Sequence, residues 1–375
     1  MTSIISPDNH LAIWAILLAL ASLGLWLEGT IVGRKFSGVL TAMILGGVLS
    51  NAGVLPVSAP SYDQVWSFLV PLAIPLFLLK ANLPEIVRQT GRMLVAFGVA
   101  VVGTVVGVVV AFLLVPVAEP ETSVGLLSAS YIGGGINFAA MSVSLGVSDS
   151  GFLATVAAAD NIVGAMYIAL LAALPAFALV RRFIPLEAQL DRAGEPSARY
   201  DDSPPDAKGI AAAVAISAAI CAVSYAIADW LGLSSYRILF ISAITLLIAN
   251  TAAPLVRKVS GEFEIGLIFM YVFLITLGAQ ADVRTVIDSG LSILWFVLVL
   301  VAVHFLIVML GARLLRIGLA DAIIASNACA AGPTTAIALS AARGWHSKTT
   351  PGLMCGILGY AIANFIALSL VRMLT

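Results

Sequence analysis

Apolar runs of about twenty residues recur along nearly the whole chain, and nothing else in the sequence restricts its fold so tightly. A bilayer's hydrocarbon core is about 30 Å thick, which an α-helix crosses in about 20 residues. About twelve such runs are found, near 10–27, 36–55, 64–80, 92–117, 122–146, 150–180, 209–232, 237–256, 262–280, 289–316, 319–341 and 350–373. Within lipid every backbone N–H and C=O must be satisfied by the protein itself, so continuous apolar runs of this length become helices. The predicted fold is therefore an all-α polytopic membrane protein. Composition agrees. Only 10% of residues are charged and 61% are hydrophobic, against about 25% charged in soluble domains. The net charge of −1 offers nucleic acid no basic face. The first apolar run lacks a basic lead and a cleavage site, so it is expected to be retained in a multi-pass protein of the cell (inner) membrane. Cys221, Cys329 and Cys355 lie inside apolar runs without metal-ligand spacing, as small core residues do.

One long polar stretch, 181–208, divides the chain. Its mixed charges and Pro204-Pro205 read as a linker between a first half, 1–180, and a second, 209–375. The halves share short patterns at an offset of about 197–199 residues: Asn51 with Asn250, Lys80-Ala81-Asn82 with Gly278-Ala279-Gln280, Gly133–Asn137 with Ala330–Thr334, and Ile168-Ala169-Leu170 with Ile366-Ala367-Leu368. Internal duplication of this kind marks secondary transporters. Arg34, Lys35, Arg88 and Arg92 flank one set of loops. Arg257, Lys258, Arg313, Arg316 and Arg372 flank the opposite set, counted within the repeat. The positive-inside rule then makes the repeats inverted. Six spans per half would make them parallel, so eleven or thirteen spans are expected, with the 150–180 run and the linker as the places where the count fails.

The fifth run is broken by Tyr131-Ile132-Gly133-Gly134-Gly135-Ile136-Asn137. Each glycine costs a helix about 1 kcal/mol relative to alanine, and unwound backbone in a membrane must line protein or a water-filled cavity. The eleventh run is broken in the matching place, at Asn327 to Gly332-Pro333-Thr334-Thr335; Pro333 lacks an N–H and clashes with the preceding turn. Paired half-helices present N–H groups to an anion and carbonyls to a cation. Tyr131, Gly133, Gly134, Gly135, Asn137, Asn327, Gly332, Pro333, Thr334 and Thr335 are therefore the predicted substrate-binding residues. Close helix packing through small residues is the plainer account of such glycines.

Asp160 lies deep in the sixth run, about 16 Å along a helix that begins near Asp149. A charge there costs at least about 2.5–3.5 kcal/mol on insertion scales. With the amide oxygen of Asn161 and a second polar group at Asn364, it makes the predicted ion-binding set; hard oxygen ligands suit sodium, and a carboxylate also carries a proton. A structural hydrogen bond to a neighbouring helix would equally explain it. His304, inside an apolar run, is a candidate proton carrier or a packing residue. Asn51 and Asn250 read as helix caps, Lys80 as a side chain reaching for the interface, and Asp321 as a first-turn charge favoured by the helix dipole.

The stretch Tyr131–Ala140, followed by Ala159-Asp160-Asn161, resembles the membrane-protein family of domain of unknown function 819, over nearly the whole chain. That family is grouped with the cation:proton antiporter and anion transporter superfamily, which includes bile-acid and glutamate carriers. The resemblance implies inverted repeats, a panel domain with a homodimer contact, and a core whose two discontinuous helices cross at the midplane and move as an elevator. Where exchangers carry an acidic pair, this chain has Asp160-Asn161, a single carboxylate. The expected function is sodium- or proton-coupled symport of a small organic anion such as an amino acid, short peptide or organic acid. A sodium/proton exchanger and a non-transport membrane scaffold are the alternatives. No cofactor is expected, and no Ser/His/Asp set or His-Glu-x-x-His motif suggests an enzyme.

Overall fold

A computed structural model of the protein describes residues 3–28, 30, 38–186, 205–256, 259–281 and 283–374, apart from the side chains of 39, 255 and 283–289. Among these residues all regular structure is helical. The first half holds α1 (His10–Glu28), α2 (Gly38–Asn51), α3 (Pro60–Leu78), α4 (Leu83–Thr90), α5 (Arg92–Leu114), α6 (Pro120–Gly133), α7 (Gly135–Ser144) and α8 (Ser150–Ala173). The second holds α9 (Ala207–Trp230), α10 (Arg237–Thr251), α11 (Glu262–Gln280), α12 (Val283–Leu314), α13 (Leu319–Ala331), α14 (Pro333–Ala342) and α15 (Thr349–Leu374).

Local chemistry explains most of the boundaries. Pro120 and Pro333 sit in the first turns of α6 and α14, where no intrahelical N–H is needed. Asp149 caps α8 by accepting the Phe152 N–H at 2.9 Å, and Asp206 caps α9 by accepting the Gly209 N–H at 2.8 Å. The linker read as 181–208 is thus shorter. Residues up to Phe183 finish a short helix and α9 has begun by Ala207. Positions 187–204 of that linker lie outside the described residues, as do Arg34, Lys35, Arg257 and Lys258 from the charge-bias argument.

Every one of the twelve apolar runs carries a helix, but not twelve uniform spans. Among the described residues, eight helices are long and apolar enough to cross a membrane, or nine if the pair α3 and α4, bent by 55°, is one span. That is fewer than the expected eleven to thirteen. The runs at 122–146 and 319–341 are each split in two. Within the run at 36–55, the 14 residues of α2 make about 21 Å of helix at 1.5 Å per residue. Large apolar side chains such as Leu11, Val102, Leu113 and Leu247 stand exposed on the outside, as a surface facing lipid requires.

The halves are interleaved rather than side by side. Helix α1 packs on α2 and α11, and α9 packs on α10 and α3; α5 packs on α12, α8 on α12, and α15 on α6. At the α5–α12 crossing a Cβ on Gly107 would lie 2.5 Å from the Leu300 carbonyl oxygen, so the backbones meet because that residue has no side chain. A buried ion pair adds a second link between halves: Lys80 Nζ lies 2.8 Å from Glu262 Oε1. Lys80 therefore does not reach for the interface; its partner, at the start of α11, is invisible in the local sequence. Asn250 does more than cap its helix. Its Oδ1 accepts from the Leu83 N–H at 2.8 Å and its Nδ2 donates to the Ala81 carbonyl at 3.1 Å, holding the bend between α3 and α4. Asn51 bonds only its own helix, at Gly47 O.

Candidate functional site

The two helix breaks meet. Gly134 separates α6 from α7 with φ 79° and ψ 179°, and Gly332 separates α13 from α14 with φ 88° and ψ −176°. Both lie in a region of backbone space open essentially to glycine alone. A Cβ on Gly134 would lie 3.4 Å from the Ala331 carbonyl oxygen and 3.6 Å from Gly332 Cα, so the gaps are in direct contact. Helix α15 backs both. Gly356 abuts Pro333, Gly359 abuts Ile132 and Gly133, and the Tyr360 ring tip reaches Gly332. Gly133, Gly134, Gly332 and Pro333 are buried, whereas Gly135 and Thr334, at the starts of α7 and α14, are exposed. The first turns of both half-helices therefore begin at an open edge of a closed crossing, with N–H groups that have no intrahelical partner.

The polar side chains gather in three clusters. At the carboxylate, Ser130 Oγ on α6 donates to Asp160 Oδ2 at 2.6 Å, one turn before the first break. Tyr131 Oη donates a long bond, 3.5 Å, to the backbone oxygen of Asp160. Asn161, the next residue, donates its Nδ2 to Ala157 O at 2.8 Å and keeps its amide oxygen out of that bond.

At the crossing itself stand three buried asparagines. Asn364 on α15 donates through Nδ2 to Asn137 Oδ1 on α7 at 2.8 Å. Asn364 thus joins Asn137 rather than Asp160; with the offset between the halves applied, it stands about one and a half to two helical turns past the position of Asp160. Asn327 on α13 accepts at Oδ1 from Thr335 Oγ1 on α14 at 2.6 Å. That hydroxyl is also 3.0 Å from Gly332 O, so Thr335 ties the second break shut. Asn137 Nδ2, Asn364 Oδ1 and Asn327 Nδ2 have no hydrogen-bond partner among the described residues, although all three residues are 2% exposed or less.

The third cluster surrounds His304 on α12, which is fully buried. Its Nδ1 lies 2.9 Å from Thr104 Oγ1 and its Nε2 lies 2.9 Å from Ser326 Oγ, which in turn lies 2.6 Å from Tyr167 Oη. Thr104 donates its one proton to Tyr131 O at 3.0 Å, so it accepts from Nδ1–H. Nε2 then accepts from Ser326, and Ser326 from Tyr167; hydrogen counting of this kind assigns the neutral Nδ1–H tautomer. Cys329 Sγ also donates to Tyr131 O, at 3.2 Å. Sequence reasoning missed Thr104, Ser130, Tyr167 and Ser326. Their one signal was a hydroxyl inside an apolar run, which occurs too often to single them out.

Two comparisons bear on this arrangement. The family described as "Protein of unknown function (DUF819)" matches residues 15–375. The chain belongs to that family. It is also 32% identical over 388 residues to the "Uncharacterized membrane protein YjcL" of Bacillus subtilis (strain 168), covering 98% of this chain and 97% of that protein. Apolar helices long enough to cross a bilayer and a membrane-protein relative of the same length agree that this is a multi-pass membrane protein.

Proposed function

We propose that this chain is a secondary active transporter whose cargo occupies the contact between the two helix breaks. The observation that carries the reading is the adjacency of Gly134 and Gly332 in the same glycine-only conformation, with a carboxylate, Asp160, held one turn from the first break. Discontinuous helices with free dipole ends, beside an intramembrane acid, are what a carrier needs to bind a solute and an ion together. In this reading the halves are inverted repeats, α1–α3 and α9–α11 form the panel and homodimer contact, and the helices around the crossing form a core that moves as an elevator. The kinship with cation:proton antiporters and anion transporters is part of the same proposal. The cargo is a small organic solute bearing a carboxylate. Sodium or a proton accompanies it at Asp160 and Asn161. Only the empty or doubly loaded core crosses, because a lone charge in a dry passage is costly.

The test is uptake into proteoliposomes under an imposed sodium or pH gradient, with a thermal-shift screen of amino acids, short peptides and organic acids to choose solutes. Asp160→Asn is expected to keep the folded, monodisperse protein and abolish gradient-driven uptake; full coupled transport in that variant would remove the carboxylate from the mechanism. A sodium/proton exchanger is the second reading, in which Asp160, a lone acid bonded by Ser130 Oγ at 2.6 Å, takes either ion in competition. Proton release on sodium addition without any organic solute distinguishes it.

A further inference from the structure

The three buried asparagines at the crossing narrow the class of cargo, an inference that rests on the carrier reading above. Burying an amide N–H or C=O without a partner costs about 1–3 kcal/mol, and native interiors leave few such groups. Here Asn137, Asn364 and Asn327, on α7, α15 and α13 beside the two breaks, leave three among the described residues. The Asn137–Asn364 bond ties up one N–H₂ and one C=O, so whichever way the two amides are turned the pair retains one donor group and one acceptor. Asn327 adds a further donor beside Thr335. Asn137 Nδ2 lies over Gly133, in the space a Cβ there would fill, so the unpaired N–H₂ is directed at the first break.

The side chains that make these contacts, Asn137, Asn327, Asn364 and Thr335, are all uncharged. A ligand of net charge would have to be buried among neutral dipoles, which is strongly unfavourable without a counter-ion. A ligand with both a carboxylate and an N–H donor matches the set: the carboxylate accepts from the two N–H₂ groups and the first-turn N–H groups of α7 and α14, and the amine donates to the free amide oxygen. We propose that the three asparagines form a neutral amide site for a zwitterionic α-amino acid, with Asn364 and Asn137 together serving as the receptor for its ammonium group.

The experiment uses the full-length protein in detergent and in proteoliposomes. Each standard L-amino acid is compared with the carboxylic acid that lacks its amine, such as alanine with propionate, leucine with 4-methylpentanoate and phenylalanine with 3-phenylpropionate. At least one amino acid is expected to raise the melting temperature and to enter vesicles, with its deaminated partner at least about tenfold weaker, the value of one charge-assisted hydrogen bond. Asn364→Leu is expected to erase that preference, and Asn364→Gln, which retains an amide, to keep part of it; this second variant separates recognition from folding. Equal or better binding of the deaminated acids, or an unchanged preference in a folded Asn364→Leu protein, overturns the amide site while leaving the carrier intact. Failure of every amino acid and every acid to bind or enter, under either gradient, overturns both the site and the carrier reading.

Discussion

Replacing Gly134 with alanine isolates the one conformational requirement on which the crossing depends. At φ 79° and ψ 179° a side chain is strained by about 1–3 kcal/mol. The new Cβ would meet the Ala331 carbonyl oxygen at 3.4 Å, a contact that neighbours absorb, so nearly all of the penalty is torsional. Gly332→Ala carries the same torsional penalty, and its Cβ would meet the Tyr360 hydroxyl, the movable end of a side chain, at 3.3 Å. Gly133→Ala is worse for a different reason, because its Cβ would lie 2.7 Å from the backbone oxygen of Gly359 and α15 would have to retreat. Gly98, inside α5 with nothing within 4 Å of its Cβ, is the control; alanine there gains up to about 1 kcal/mol of helix propensity. Unfolding followed by tryptophan fluorescence in detergent, at about 2 °C per kcal/mol for a chain of this size, should show Gly134→Ala and Gly332→Ala lower by about 2–6 °C, Gly133→Ala lower still, and Gly98→Ala unchanged or higher. If the first two variants melt with the wild type, the breaks are ordinary helix and the argument for a crossing fails.

Two further outcomes follow from buried contacts between the halves. Lys80→Met alone leaves the Glu262 carboxylate, 5% exposed, without the ammonium it faces and should cost about 3–5 kcal/mol, whereas the double variant Lys80→Met with Glu262→Leu should recover most of that; a double variant no more stable than Lys80→Met in chemical denaturation would contradict a coupled pair. Asn250→Ala removes the acceptor from the Leu83 N–H and the donor to Ala81 O. It should cost about 1–3 kcal/mol and speed hydrogen exchange at Leu83 and its neighbours, and unchanged exchange there would show that the bend holds without it.

The number and position of the helical runs were readable from hydropathy because lipid imposes one period and one length. Both breaks were readable because Gly133-Gly134-Gly135 and Gly332-Pro333 violate helix chemistry locally. The depth of Asp160 was readable from its place in the run, whereas its bond to Ser130 on α6 was not. The rest depended on helix rotation, which a single sequence leaves free. His304 finds Thr104 at a separation of 200 residues, Asn364 finds Asn137 at 227, and Trp66 finds Gln280 at 214. A rotation of one residue, about 100° on a helix, would send any of these polar groups to lipid. The same limit explains why Lys80 was read as surface-seeking while Glu262 stood unassigned. Long single helices are fewer than the runs for another reason: hydropathy integrates over a window and does not register that a one-residue gap turns a run into two short helices.

Helix α15 has a mechanical consequence. Its glycines at 356 and 359 seat the start of α14 and the end of α6 on a single rod, so neither gap widens without shifting the surface that backs the other. In the proposed carrier, movement at one break would thereby be yoked to movement at the other, and a bulky graft at position 356, seated against Pro333, should disturb transport at both breaks rather than at one.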